Sequence, residues 1–314
     1  MTENTEFTYT EAFSRNLGWV SLNEQQSLKE KRIAIAGLGG VGGGHLLALA
    51  RLGIEKFHIA DLDQFDVGNM NRQAGCTVSS FNQSKVETMM AMVKDINPNS
   101  EVIPFHDGVH QDNIFEFLDS VDLVVDGLDL YAPKIRRLLF AKSYEQSIPL
   151  VTAGPLGGGT ACLVFDDSSP HPDHYFNFDS KQSDMELLIQ FLIGLAPKAL
   201  QSKYLESLKH VSPLDGKVCS LSAGSYMASG MVVIKALQIL LNRGAVHAAP
   251  HFQQFDGYLN KYVSGKLRWG NRSLIQKLKA YFVMKAFKKM QLTYEPLSPN
   301  VLDSGKSVDT KKAA

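Results

Sequence analysis

The sequence predicts an α/β fold, a Rossmann-like, doubly wound and mostly parallel sheet with a crossover-loop insertion and a C-terminal helical and hairpin extension. Three observations predict it. From Lys31 onward, short β-branched runs alternate with segments of helical periodicity, as parallel strands joined by crossover helices do. The first of these runs opens onto Gly37-Leu-Gly39-Gly40-Val-Gly42, a strand, glycine loop and helix in succession. Finally, 314 residues that are 44% hydrophobic suffice to bury one large core.

Taken in order, residues 1–30 read as an N-terminal helical arm and residues 31–265 as the sheet domain. Arg32 to Ala36 is the first strand, Val41 to Leu52 a helix, and Phe57 to Ala60 a second strand ending at Asp61. A polar loop from Asp63 to Ser80 leads to a helix from Lys85 to Ile96, closed by Asn97-Pro98 because proline disfavours helix at the residue before it. Val102 to Phe105, Leu123 to Asp126 and Leu150 to Ala153 complete the parallel set, with helices at Asn113 to Leu118 and Pro133 to Gln146 between them. Thr160 to Phe165 is a further strand. An insertion of about residues 166–215 begins with a loop-like, Asp-, Ser-, Pro- and His-rich stretch to Ser183. Ser222 to Leu241 reads as one long helix stopped at Gly244, and Gln253 to Val263 as a hairpin. Residues 266–300 form a helical extension, and residues 301–314 a disordered tail.

Charge and cysteine usage narrow the class. Thirty-two basic residues balance thirty-two acidic ones, so no net field draws the chain to nucleic acid or to an anionic membrane. Cys76, Cys162 and Cys219 are far apart and form no C-x-x-C pair, which argues against a disulfide framework and a four-thiolate zinc site and for a cytoplasmic setting. Met1 to Thr10 carries no secretory signal. Leu187 to Ala196 is about half the ~20 residues that a membrane span needs, so it reads as a buried or docking helix and no transmembrane segment is expected.

The glycine loop faces backbone N–H groups and a helix dipole toward a phosphate, but ATP, NAD and FAD would all suit it, with Asp61 as ribose ligand in each case. The next loop separates them. Asp61-Leu-Asp63 leads to Asn69-Met-Asn71-Arg72-Gln73 and then to Lys85, which opens its helix. Hydride transfer has no use for an Arg and a Lys there, whereas a triphosphate has charge to be neutralised. Asp126-Gly-Leu-Asp129 ends a later strand at the same sheet edge and offers carboxylates for Mg²⁺. Asp63 and Asp126 read equally well as caps of their loops.

In this order and spacing, G-x-G-G-x-G, D-x-D, N-x-N-R-Q, the helix-opening Lys and D-x-x-D resemble the ThiF/MoeB/ubiquitin-activating adenylation domain, from Phe13 to Gly244. The resemblance implies ATP as cofactor, bound at Gly37, Gly39, Gly40, Gly42, Asp61 and Asp63. It further implies Asn69, Arg72 and Lys85 as phosphate-binding groups and Asp129 as the Mg²⁺ ligand. Arg15 matches an arginine that a partner subunit contributes, which implies a homodimer, although alone it reads as a surface residue. The implied reaction is ATP-dependent adenylation of a carboxylate with release of pyrophosphate. Its substrate would be the C-terminal glycine of a ubiquitin-like or sulfur-carrier protein, or a peptide, with Gly157-Gly-Gly159 helping to form an extended path. A threonylcarbamoyladenosine dehydratase acting on tRNA is the alternative within the family; such an enzyme would need a localised basic surface that the balanced charge does not announce. An NAD- or FAD-binding oxidoreductase and a non-catalytic nucleotide sensor are the alternatives outside it. Two departures stand out: the paired C-x-x-C motifs of zinc-binding relatives are missing, so no structural zinc is expected, and Leu130 follows Asp129 where Asn is common.

Four further features stand apart from this set. Cys219, just before the long helix, is either a small structural residue or a thioester nucleophile. Cys162, within a strand, reads as buried and inert. His171-Pro-Asp173-His174 reads as solvated loop rather than as a metal pair. The basic amphipathic stretch Lys277 to Lys289 reads as a helix packed on its own domain rather than on a membrane.

Overall fold

The computed structural model describes residues 6–207 and 218–292. Alternation within the first strand sets the layers. In β1 (Arg32–Ala36), Ile33 and Ile35 enter one core while Ala34 and Ala36 enter another, and all four are fully buried. A strand buried on both faces requires helices on each side of its sheet.

The sheet has eight strands in the order β3-β2-β1-β4-β5-β6-β7-β8. With β2 (Lys56–Ala60), β3 (Glu101–Phe105), β4 (Leu123–Asp126) and β5 (Leu150–Leu156), β1 forms a parallel half whose order reverses between β1 and β4. From β5 the pairing turns antiparallel through β6 (Gly159–Phe165) and the hairpin of β7 (His251–Asp256) and β8 (Lys261–Lys266). The hairpin therefore extends the same sheet.

One face is covered by α3 (Gly42–Arg51), α4 (Lys85–Ile96) and α9 (Ser222–Leu240), which contribute Leu46, Leu49, Met89, Val93 and Val232 to the core. The other is covered by α5 (Ile114–Phe117), α6 (Pro133–Glu145), α7 (Pro172–Phe176) and α8 (Asp184–Leu195) around Phe117, Phe140, Phe176 and Phe191. Leu187 to Ala196 lies in and just after α8, whose start is fixed by a reciprocal Ser183–Glu186 capping box. Among the described residues, α9 is the one helix long and apolar enough to cross a membrane by length and composition, yet Ala228, Val232 and Ala236 are fully buried against the sheet.

The N-terminal arm holds α1 (Tyr9–Ala12) and α2 (Leu22–Glu30) against the far end of α3: the Tyr9 hydroxyl donates to the Gly53 carbonyl at 2.7 Å, and Gln25 Nε2 donates to Leu52 O at 2.9 Å. At the other terminus, α10 (Leu274–Leu292) packs on α8. The loop-like reading of residues 166–183 needs correction. His171 caps α7 by accepting from the Asp173 N–H, Pro172 occupies the first turn, and the fully buried rings of Tyr175 and Phe176 hold the helix in the core. Of the two histidines, His174 is exposed as expected, with Nδ1 3.1 Å from Arg272, whereas His171 is half-buried and packs edge-on against Tyr144. The predicted tail at residues 301–314 lies outside the described residues.

Candidate nucleotide site

Register brings the loops together. Ala36 at the end of β1 pairs with Ala60 on one side and Asp126 on the other, so three strands end level at the switch point, where open α/β sheets bind ligands. A cleft of about 250 Å³ lies there. Gly37, Gly39, Gly40, Asp61, Asp63, Arg72, Lys85, Asp129 and Cys219 all line it, whereas Gly42, Asn69 and Arg15 do not.

The glycines divide into two jobs. Gly37 has φ +86°, and a Cβ on Gly37 or Gly42 would overlap the Gly127 or Gly37 carbonyl, so these positions let three backbone segments touch. Gly39 and Gly40 instead face Gln73 and Arg72 at ordinary contact distance, 3.7 Å and 3.5 Å from where a Cβ would sit. Gly42 thus serves packing, where a direct ligand contact was expected.

Asp61 is fixed by its own loops: Oδ2 accepts from the Leu38 N–H at 2.6 Å and Oδ1 from the Asp63 N–H at 2.9 Å. Burial raises its pKa, and nearby Lys85 partly offsets this. Lys85 opens α4 at the cleft floor, with Nζ 2.9 Å from Asp63 Oδ2 and 3.8 Å from Asp61 Oδ1. Arg72 lies over Gly40 and donates to the Gly68 carbonyl and to Asn71 Oδ1. Asn69 does not line the cleft; its Oδ1 accepts from the Asp66 N–H and closes the short turn Val67–Asn69 that precedes Arg72.

Asp126 and Asp129 take opposite roles. Asp126 is buried; Oδ1 accepts from the Leu128 N–H, and Oδ2 from Arg136 Nε and Thr152 Oγ1. With both oxygens engaged, it ties down the strand end. Asp129 is exposed at the cleft, one oxygen accepting from the Tyr131 N–H, and has the access a cation needs. Among the described residues no group of three or more His, Cys, Asp or Glu could hold a metal ion. One carboxylate together with phosphate oxygens still fits Mg²⁺, which usually keeps most of its waters.

Arg15 is exposed on the N-terminal arm. The arm meets the C-terminal end of α3, a helix of about 15 Å whose N-terminal end is at the cleft. Cys219 is exposed at the cleft, and the neighbouring Ser220 carbonyl accepts from Asn71 Nδ2 at 3.0 Å. Cys162 is buried, and burial pushes its thiol up to about 12. Gly157 and Gly158, half-buried, form the turn between β5 and β6 and pack closely against Tyr204 and Tyr258.

Sequence reasoning missed Arg136, Thr152 and Phe191, and gave Asn71 no role beyond its place in the N-x-N-R-Q motif. Arg136 is buried, donates to the Leu128 and Asp129 carbonyls, and stacks 4.2 Å over the Phe191 ring. A signal existed, since Arg136 shares the i, i+3, i+4, i+7 face of α6 with Leu139, Phe140 and Ser143. Arginine on such a face needs a buried partner.

Residues 13–272 match the ThiF family. The chain belongs to the ThiF family. The tRNA threonylcarbamoyladenosine dehydratase of Bacillus subtilis (strain 168) is 34% identical to this ThiF-family chain over 165 residues, 51% of the chain and 64% of the relative. The adenylyltransferase and sulfurtransferase MOCS3 of Aedes aegypti is 31% identical over 118 residues, 38% of the chain and 27% of the relative. Each match thus spans less than two thirds of the relative. The solved structure of the E. coli dehydratase TcdA in complex with ATP shares the fold, with TM-score 0.54 at 21% identity, covering 74% of this chain and 95% of that one.

Proposed function

We propose that this ThiF-family protein uses ATP to adenylate a carboxylate. One observation carries the reading: Arg72 and Lys85, from different elements, line one cleft with Gly39, Gly40, Asp61 and Asp129. Two cations around a phosphate loop suit a reaction that expels pyrophosphate, and hydride transfer would not use them. A substrate carboxylate oxygen would form a bond to the α-phosphorus while the bond to the β-phosphate breaks, its electron pair leaving with pyrophosphate. Lys85 would exchange Asp63 for the phosphoryl oxygens, and Arg72 would hold the leaving group. Mg²⁺, held by Asp129 and the phosphates, would neutralise further charge.

The similarity to dehydratases favours threonylcarbamoyladenosine on tRNA as the carboxylate, ahead of a glycine-terminated protein or peptide. The packed Gly157–Gly158 turn removes a support for the latter. As for assembly, α9 exposes Tyr226, Gly230 and Ile234, and the adjoining arm exposes Trp19 and Leu22, joined to α9 through Arg243, Glu24 and the Trp19 carbonyl. This largely uncharged surface suits a second copy, which would bring Arg15 to the partner's cleft.

ATP–pyrophosphate exchange tests the reading. Exchange is expected with tRNA bearing threonylcarbamoyladenosine and should fall about 10²–10³-fold in Lys85→Ala and Arg72→Ala. Mg-ATP at one hundred times its Kd should stabilise the fold by about 2.7 kcal/mol, less in Asp129→Ala. Stabilisation by NAD alone, with no exchange, would replace this reading with an oxidoreductase.

A further inference from the structure

The expected packing of the basic C-terminal helix accounts for only one of its faces. Ala280, Val283, Met284 and Phe287 of α10 pack on Leu188, Ile189 and Ile193, and buried Gln276 donates to the Ile193 carbonyl. On the opposite face Leu274, Ile275, Leu278, Tyr281 and Phe282 are each more than half exposed, as is Trp269 just before the helix. A patch of that kind marks an interaction surface.

Charge and composition select its partner. Leu267 to Leu292 contains seven basic residues and no acidic one. Lys277 and Lys285 are exposed along the apolar stripe, and exposed Lys198 lies close enough to Lys279 to lower its pKa, after the larger effect of burial. Two such faces from two copies would repel, and the uncharged α9 surface already offers a place for a second copy. Nucleic-acid interfaces are polar and wet, which leaves Leu274, Ile275 and Leu278 without a use. Bulky aliphatic and aromatic side chains bordered by lysines on one exposed helix face are what an in-plane interfacial helix presents to lipid.

We infer that α10 rests its exposed face on an anionic lipid surface, with the apolar side chains at the acyl boundary and Lys277 and Lys285 among the headgroups. The inference does not depend on the adenylation reading. The full chain should co-sediment with phosphatidylcholine vesicles containing phosphatidylserine and not with pure phosphatidylcholine. Leu278→Glu/Phe282→Glu should abolish sedimentation, and each of Lys277→Ser and Lys285→Ser should weaken it about five-fold. All four positions are exposed, so thermal stability should not change. Equal binding to neutral vesicles, or none to either, would overturn the inference. So would two other results without vesicle binding: a mass halved in Leu278→Glu/Phe282→Glu, which assigns the face to a second copy, or capture of bulk tRNA or polyglutamate that this variant loses.

Discussion

Arg136 shows how a buried charge is held by partners of several kinds. It joins Asp126, two carbonyls of the cleft turn and the Phe191 ring, so removing either charge strands the other in the core. Arg136→Leu should destabilise the fold by about 3–5 kcal/mol in urea titrations, and the double change Asp126→Leu/Arg136→Leu by less than the sum of the single changes. His45 gives a pH signature. Fully buried beside the Ser229 hydroxyl, its imidazole is pushed by burial down to about 3. The unfolded chain therefore binds a proton that the folded one refuses, so this contribution is complete above about pH 6.5 and drains away as pH falls toward 3. Asp61, raised by burial, acts with the opposite sign. Comparing urea midpoints of wild type and His45→Asn at pH 5 and pH 8 isolates the histidine, and the variant should show the smaller pH dependence. The gathering of Asp61, Arg72, Lys85 and Asp129 at one cleft was legible, because these residue types repeat a recognisable spacing. The role of Arg136 was not, because the two carbonyls and the Phe191 ring that hold it come together only once the chain folds, and neither was the contact of Asn71 with the Ser220 carbonyl.

Elements were legible where one periodicity ruled. β1, α3 and α4 lie close to where apolar alternation and the glycine and proline signals put them. Helix α7 was missed because its five residues are too few to show a period, and a polar loop composition masked two aromatic anchors. The junction of β1 and α3 also divides a motif that looks uniform in sequence. Gly42→Ala would drive a Cβ into the Gly37 carbonyl and should destabilise by about 3 kcal/mol. Gly39→Ala meets only ordinary contact with Gln73, so its melting temperature should stay near that of the wild type while nucleotide affinity falls. Thermal melts with and without Mg-ATP measure both.

For the whole molecule, β-order and strand-end alignment put the cleft at the reversal between β1 and β4, while Arg15 sits on an arm anchored at the far end of α3. If that arginine serves the neighbouring subunit, mixing Arg15→Ala with Lys85→Ala should restore roughly a quarter of wild-type exchange, because a mixed dimer keeps one intact site. No recovery on mixing would confine each site to its own chain. The pairing of Lys85 with Asp63 and of Arg136 with Asp126 bears on how nucleotide arrives. Three basic and four acidic side chains line the cleft, so its side chains present no net positive lure to a polyanion. Free ATP would meet a mildly repelling mouth, whereas the magnesium complex carries its own partial neutralisation. Capture should then depend little on ionic strength, and the cleft would select the metal-loaded nucleotide at the encounter itself, before any phosphate reaches Lys85.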